Sequence, residues 1–371
     1  MRLEIPAGLL PADGRFGSGP SKVPAGRLEA LAATGVTLMG TSHRQPPVKQ
    51  LVRRVVDGLA ELFALPDGFE VAIGNGGSAA FWDLATFALI ERRSQHAVFG
   101  EFGAKFAKAA NAAPWLASPG MRTAEPGSLV TPVFDADVDT YAWTHNETST
   151  GVAAPVVRPA GMTADQLTVV DATSAAGGLG VDVSAADVYY FAPQKSFASD
   201  GGLWIATLSP AAIERAERIA RSDRHIPEFF SLVTALKNTR ADQTLNTPAI
   251  ATLFLMAEQL DQMIADGGLT AMAARSAASA EVLYGWAEKS PYAAPFVDDP
   301  THRSPVVGTI ELDPDLSKAS VMEVLRANGI VDLDAYRGIG ANQLRIAMYP
   351  AVDAADVEAL TACIDWVVDH L

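Results

Sequence analysis

Cysteine is nearly absent: Cys363 is the only one in 371 residues, so neither a disulfide framework within the chain nor a cysteine-rich metal site is open to it. The six histidines are scattered without metal-ligand spacing. No His-Glu-x-x-His, Gly-x-Ser-x-Gly or Walker-type loop occurs. No metal site is expected. Basic residues are in deficit, with 28 Lys and Arg against 43 Asp and Glu and a net charge of −15. That excludes the usual electrostatic footprint for nucleic acid or an anionic membrane, but leaves room for a local basic pocket. Long hydrophobic runs are missing too. The most apolar stretch, 248–257, is too short to span a bilayer. The opening Met-Arg-Leu-Glu-Ile-Pro has no basic segment followed by an apolar run. A soluble, cytoplasmic protein is the expectation.

What is present is 49% hydrophobic residues and 19% charged, the composition of a folded chain. Apolar, β-rich runs alternate with Ala-rich helical runs. Strands are expected at 70–73, 96–100, 140–143, 167–171, 188–192 and 203–208, with helices at 78–93, 103–113 and 210–221. This alternation predicts an α/β fold with a mostly parallel sheet covered on both faces. Beyond about residue 260 the pattern changes to helices at 270–289, 317–328 and 354–371 with strands at 306–312 and 343–349, a smaller α+β unit. Cys363 lies on the apolar stripe of the last helix, which makes it a core thiol rather than a nucleophile.

Two constellations carry chemistry. Gly74-Asn75-Gly76-Gly77-Ser78-Ala79 follows a strand and opens a helix. It matches a dinucleotide fingerprint, with Glu101 placed as a ribose acid, so a nicotinamide-dependent oxidoreductase is one reading. More generally such a loop is a backbone cradle for phosphate at a helix N-terminus, and it equally describes a tight turn without ligand. The second is sharper. Asp171 ends one apolar strand and Lys195, 24 residues on, follows another. In a parallel sheet both project where ligands bind. A lysine there can condense with an aldehyde, and a carboxylate there can pair with a pyridinium nitrogen. Alone, each is an ordinary capping Asp or solvated Lys. Beside a phosphate cradle, they are the two groups that pyridoxal phosphate needs most.

At these residues the chain resembles the phosphoserine aminotransferases, in class V of the fold-type-I pyridoxal-phosphate enzymes. The resemblance rests on Phe16-Gly17-Ser18-Gly19-Pro20-Ser21, Thr41-Ser42-His43-Arg44, Gly76-Gly77-Ser78-Ala79-Ala80-Phe81, Asn146-Glu147-Thr148, Val170-Asp171-Ala172, Gln194-Lys195, Asn246-Thr247-Pro248 and Leu344-Arg345-Ile346-Ala347. It implies a large cofactor-binding domain over 15–260 and a small domain over 261–371 with 1–14. It implies that Lys195 carries the cofactor and moves the proton, and that Asp171 pairs with the pyridine nitrogen. Phe102 would stack on the ring where the family often has Trp, and Thr148 would face its phenolate side. Gly77, Ser78 and Gln194 would hold the cofactor phosphate, joined by Asn246 and Thr247 of a second subunit, which makes a homodimer necessary.

For substrate, the resemblance assigns the carboxylate to Arg345 and the distal anion to His43 and Arg44 from the second subunit, with Arg337 nearby. An Arg fork suits both anions. Two departures stand out. Tyr336-Arg337 replaces a common His-Arg, and a Tyr hydroxyl carries no charge. Ser78 replaces an Arg found in some members. The implied reaction moves an amino group from L-glutamate to 3-phosphohydroxypyruvate, giving O-phospho-L-serine and 2-oxoglutarate in serine biosynthesis, with pyridoxine biosynthesis a further use in some bacteria. A serine- or alanine–glyoxylate aminotransferase would share Lys195 and Asp171 without a second anion site. A cysteine desulfurase is set aside because Cys363 lies in a helix, and an inactive relative because Lys195, Asp171 and Arg345 are retained.

Overall fold

In the computed structural model, which describes residues 3–337, 339–340 and 342–371, the strands are β1 Glu70–Asn75, β2 Ser94–Val98, β3 Gly120–Thr123, β4 Thr140–Thr144, β5 Asn146–Glu147, β6 Val152–Ala153, β7 Leu167–Asp171, β8 Val188–Phe191, β9 Leu203–Leu208, β10 Ala293–Pro295, β11 Val307–Leu312 and β12 Gln343–Ala347. The helices are α1 Ala25–Ala33, α2 Pro46–Leu62, α3 Ser78–Ala88, α4 Glu101–Ala112, α5 Pro210–Ala220, α6 Leu232–Thr239, α7 Ile250–Ala265, α8 Gly268–Ala287, α9 Lys318–Ala327 and α10 Ala354–Val368. Met1 and Arg2, which open the segment assigned to the small domain, lie outside the described residues.

Strand alternation builds two apolar layers on one seven-stranded sheet, ordered β1-β9-β8-β7-β4-β2-β3. Val71, Trp143, Val170, Tyr189 and Ile205 face a core shared with α2 and α7. Ala72, Ala142, Val169, Tyr190 and Trp204 face the opposite core, shared with α3 to α6. Each fully buried aliphatic or aromatic side chain in these layers contributes about 1.5–3 kcal/mol. The pairs β3/β2, β2/β4, β4/β7 and β7/β8 are parallel. The pairs β8/β9 and β9/β1 are antiparallel. The sheet is therefore mostly parallel, as its sequence pattern predicts.

The dinucleotide reading fails here. β1, which feeds the Gly-rich loop, is an antiparallel edge strand and not the central parallel strand that a dinucleotide fold requires. Glu101 lies in the first turn of α4 and pairs with Lys105 at 3.3 Å.

The predicted helix 78–93 stops at Ala88. Distant residues end it. The Arg224 guanidinium donates to the carbonyls of Thr86, Phe87, Ile90 and Glu91. The Asp139 carboxylate accepts from the backbone N–H groups of Glu91, Arg92 and Arg93. Together they satisfy the backbone groups that another helical turn would have paired.

β10-β11-β12 form a separate antiparallel sheet. With α8, α9 and α10 it encloses its own core, including Leu283, Ile310, Leu325, Leu344 and Cys363, and Ile5 and Phe16 from the N-terminal segment join it. Cys363 is fully buried and its thiol donates to the Leu9 carbonyl at 3.2 Å.

Candidate active site

Alternation along β7 fixes the direction of Asp171. It shares a face with Leu167 and Val169, toward α3. There its carboxylate accepts from Trp82 Nε1 at 3.2 Å, Tyr190 OH at 2.9 Å, and the backbone N–H and hydroxyl of Thr173 at 2.9 and 2.5 Å. Lys195, four residues beyond β8, is 8% exposed. Its ammonium donates to the Ser18 carbonyl, which also accepts from Tyr349 OH at 2.9 Å. Gly19 leaves room for the Lys195 amine, which a Cβ there would displace. Burial first, and the positive charge of Arg345 second, push the Lys195 amine down to about 7, against an opposing pull from Asp171.

Asp171 and Lys195 line one cavity of about 250 Å³ with Gly76, Gly77, Ser78, Trp82, Phe102, Thr144, Asn146, Thr148, Thr173 and Gln194. The floor at one end is the N-terminus of α3. Gly76 and Gly77 have φ of 120° and 76°, a region that favours glycine, and a Cβ on Gly76 would meet Ala80 at 2.7 Å. No side chain caps the helix, so its first N–H groups are free to meet an anion. Around the cavity, Gln194 Oε1, Asn146 Oδ1 and Thr144 Oγ1 are buried without a hydrogen-bond partner among the described residues. Buried polar atoms are rarely left so, and three in one cavity call for a polar ligand. A buried amine, a carboxylate facing it, orphaned polar atoms and an anion cradle together fit pyridoxal phosphate.

The surrounding wall is set by Glu147, which is fully buried. Its carboxyl accepts from the backbone N–H groups of Phe102 and Gly103 at 3.3 and 3.1 Å and from Ser149 Oγ at 2.5 Å. Burial raises its pKa. Glu147, the last residue of β5, thus ties the first turn of α4, with the Phe102 ring, to the turn that carries Thr148. Thr148 Oγ1 donates to Ser174 Oγ at 2.7 Å, as does Asn146 Nδ2 at 2.7 Å. The Thr148 carbonyl accepts from Arg345 Nη1 at 3.2 Å. Arg345 lies on β12, so the second sheet reaches the cavity wall through it.

The sequence-predicted residues fall into two groups. Gly77, Ser78, Phe102, Thr148, Asp171, Gln194 and Lys195 converge on the cavity, with Arg345 against its wall. His43, Arg44, Asn246 and Thr247 lie outside it in this chain and form their own cluster. Thr247 Oγ1 meets His43 Nδ1 at 3.3 Å, and Asn75 Nδ2 bridges Asn246 Oδ1 and the Thr247 carbonyl. Arg44, Asn246 and Thr247 are exposed. Arg337 is exposed and does not line the cavity. Trp82, Thr144, Asn146, Thr173 and Glu147 were given no role by sequence reasoning. Trp82 could have been found, because it lies four residues after Ser78 and so on the same helix face.

The family profile of class-V aminotransferases matches residues 127–360. A phosphoserine aminotransferase of Nocardioides sp. is 66% identical over 370 residues, covering 100% of this chain and 99% of that protein. A putative phosphoserine aminotransferase of Mycolicibacterium vanbaalenii is 59% identical over 369 residues, covering 100% and 99%. A solved phosphoserine aminotransferase of Cytophaga hutchinsonii superposes with a TM-score of 0.88 at 23% identity over 95% of this chain and 99% of that one, a likeness of fold.

Proposed function

The chain belongs to the class-V aminotransferase family, and we propose on that premise that it transfers the amino group of L-glutamate to 3-phosphohydroxypyruvate, yielding O-phospho-L-serine and 2-oxoglutarate in alternating half-reactions. It is a pyridoxal-phosphate-dependent phosphoserine transaminase by its full-length likeness, and the observation that carries the reading is that 66% identity to a phosphoserine aminotransferase. The cavity's own chemistry agrees with it.

When bound, pyridoxal phosphate supplies an electron sink and a carrier for the amino group. Gly77, Ser78 and Gln194 would hold its phosphate, Asp171 its pyridine nitrogen and Thr148 its phenolate side, with Phe102 against the ring. Lys195, held near neutrality by burial, can lose its proton at physiological pH. Its amine can therefore attach the cofactor, and can take a proton from the substrate α-carbon and return it. Arg345 would bind the substrate carboxylate. Its guanidinium is largely out of water, where a bidentate ion pair is strongest. His43 and Arg44 of a second copy would bind the distal phosphate, and Asn246 and Thr247 of that copy would reach the cofactor phosphate. Arg337 would add a more distant cation.

The exposure of Arg44, Asn246 and Thr247 beside the buried His43 supports a homodimer with shared sites. So do the exposed apolar side chains of Leu28, Val36 and Met39, which precede His43 in the chain. The separate apolar core formed within residues 280–367 and joined by Ile5 supports a small domain, which we assign to 261–371 with 1–14 beside a large domain of 15–260. No helix among the described residues is long and apolar enough to cross a membrane. With the biosynthetic substrates, that favours a cytoplasmic site of action. Use of a related phospho-keto acid in pyridoxine biosynthesis is a second activity to assay.

The deciding experiment is the half-reaction of purified holoenzyme. Its visible absorption should change with O-phospho-L-serine at far lower concentration than with L-serine. Preference for the unphosphorylated amino acid would keep the family and discard the substrate.

A further inference from the structure

The replacement of a His by Tyr336 removes a potential cation from the substrate's distal end, and the fold supplies another. Lys105, on α4, places Nζ 2.7 Å from Tyr336 OH. An ammonium has three donors and no acceptor, so the phenol oxygen must accept from it. The phenol's own O–H is then left to donate elsewhere, and it has no acceptor among the described residues. Tyr336 packs edge-on against the cavity residue Phe102, with ring centroids 5.4 Å apart. The Arg345 guanidinium lies over the Tyr336 ring at 5.3 Å, and Lys105 Nζ is 5.2 Å from the Phe102 ring. Lys105, Tyr336 and Arg345 thus form a continuous wall of cation, ring and cation against the two cavity residues Phe102 and Thr148.

We propose that Tyr336 donates its O–H to the distal phosphate of the substrate and that Lys105, through Tyr336, is the positioning residue that selects a phosphate there. The inference rests on the phosphoserine reading and deepens it. A ligand whose carboxylate sits on Arg345 would have beside it the Tyr336 ring, which Arg345 covers at 5.3 Å. A phosphate near neutral pH carries close to two charges, against one for the glutamate side-chain carboxylate. Attraction to Lys105 therefore grows with the charge of that distal group. Glu101, 3.3 Å from Lys105, is the competing partner. If Lys105 served only that helix pair, removing Glu101 would have the same effect as removing Lys105.

The test is equilibrium binding to the holoenzyme by calorimetry, using unreactive ligands. 3-Phosphoglycerate carries both anions, glycerate lacks the phosphate, and glutarate carries two carboxylates. Lys105→Gln and Tyr336→Phe should each weaken 3-phosphoglycerate by about tenfold, the scale of one charge-assisted hydrogen bond. They should leave glycerate unchanged and weaken glutarate less. The loss in the double variant should be smaller than the product of the two single losses, Lys105→Arg should restore binding, and Glu101→Gln should leave it intact. Equal losses for 3-phosphoglycerate and glycerate, or a loss in Glu101→Gln matching that in Lys105→Gln, would overturn the proposal. So would an unchanged preference for the phosphorylated ligand in Lys105→Gln. A wild-type enzyme that binds glycerate as well as 3-phosphoglycerate would sink the phosphoserine reading itself.

Discussion

The cavity around Lys195 and the cluster around His43 are built on opposite principles. The first is assembled within one chain: strand ends, a helix N-terminus and the second sheet converge, and three of its lining residues carry buried polar atoms without a partner among the described residues. The second gathers Arg44, Asn246 and Thr247 at the surface, and the Arg44 side chain has no ion pair among the described residues. His43 Nε2 is buried there without a partner. One region encloses a cavity within the chain, and the other lies apart from it at the surface. On the proposed reading, Lys195 and Asp171 act from within the subunit, whereas the distal anion and part of the cofactor phosphate would be reached from a second copy.

Breaking the first region should have the largest effect. Lys195→Ala removes the one amine that lines the cavity among the described residues and should cut turnover by at least about 10³-fold, read in a coupled transamination assay. Residual turnover near the wild-type rate would take Lys195 out of its role.

The second region should break in a different way. Arg44→Ala should weaken O-phospho-L-serine by about 10- to 100-fold and glutamate by less. The sharper version mixes chains. Co-expressed Lys195→Ala and Arg44→Ala subunits should form hybrids with one intact site, recovering up to about one quarter of wild-type activity under random pairing. No recovery above the parental homodimers would mean that each site is built from one chain.

Glu147 tests how far the cofactor region depends on its buried frame. Glu147→Ala strands the N–H groups of Phe102 and Gly103 inside the protein. It should cost about 2 kcal/mol of stability, measured by denaturant unfolding, and should loosen the Phe102 wall. Glu147→Gln keeps one acceptor oxygen and should cost less.

The contrast also explains what the sequence disclosed. Strand periods revealed β7 and β8, and the polar residue closing the first and the one just past the second marked Asp171 and Lys195. Those signals are local, as are the Gly76-Gly77 turn and the stripe that buries Cys363. What stayed hidden depends on distant partners. The end of α3 is decided by Asp139 and Arg224, about 50 and 135 residues away. The antiparallel edge position of β1 depends on β9. Glu147 stood in a recognised motif, yet its role depends on packing against α4. Lys105 reads as an ordinary helix-surface charge until Tyr336 is folded against it.

The smallest expected effect is also the most direct probe of how the second sheet tunes the cofactor region. Arg345 is the second cause, after burial, of the lowered pKa of Lys195. Cofactor attachment needs the neutral amine, so the rate at which apoenzyme takes up pyridoxal phosphate should rise with pH about a midpoint near 7, well below an ordinary lysine. Removing a neighbouring positive charge makes protonation easier and must move that midpoint upward. Arg345→Gln should therefore shift it to higher pH by no more than about one unit, because burial, the larger cause, is untouched. Stopped-flow absorbance of cofactor uptake across pH 5.5–10 would read the shift, with the buffer range set by the ordinary lysine value at its upper end. A midpoint that stays in place would mean that Arg345 is electrostatically remote from Lys195. A midpoint that falls would contradict the sign of the interaction and place Lys195 under another control.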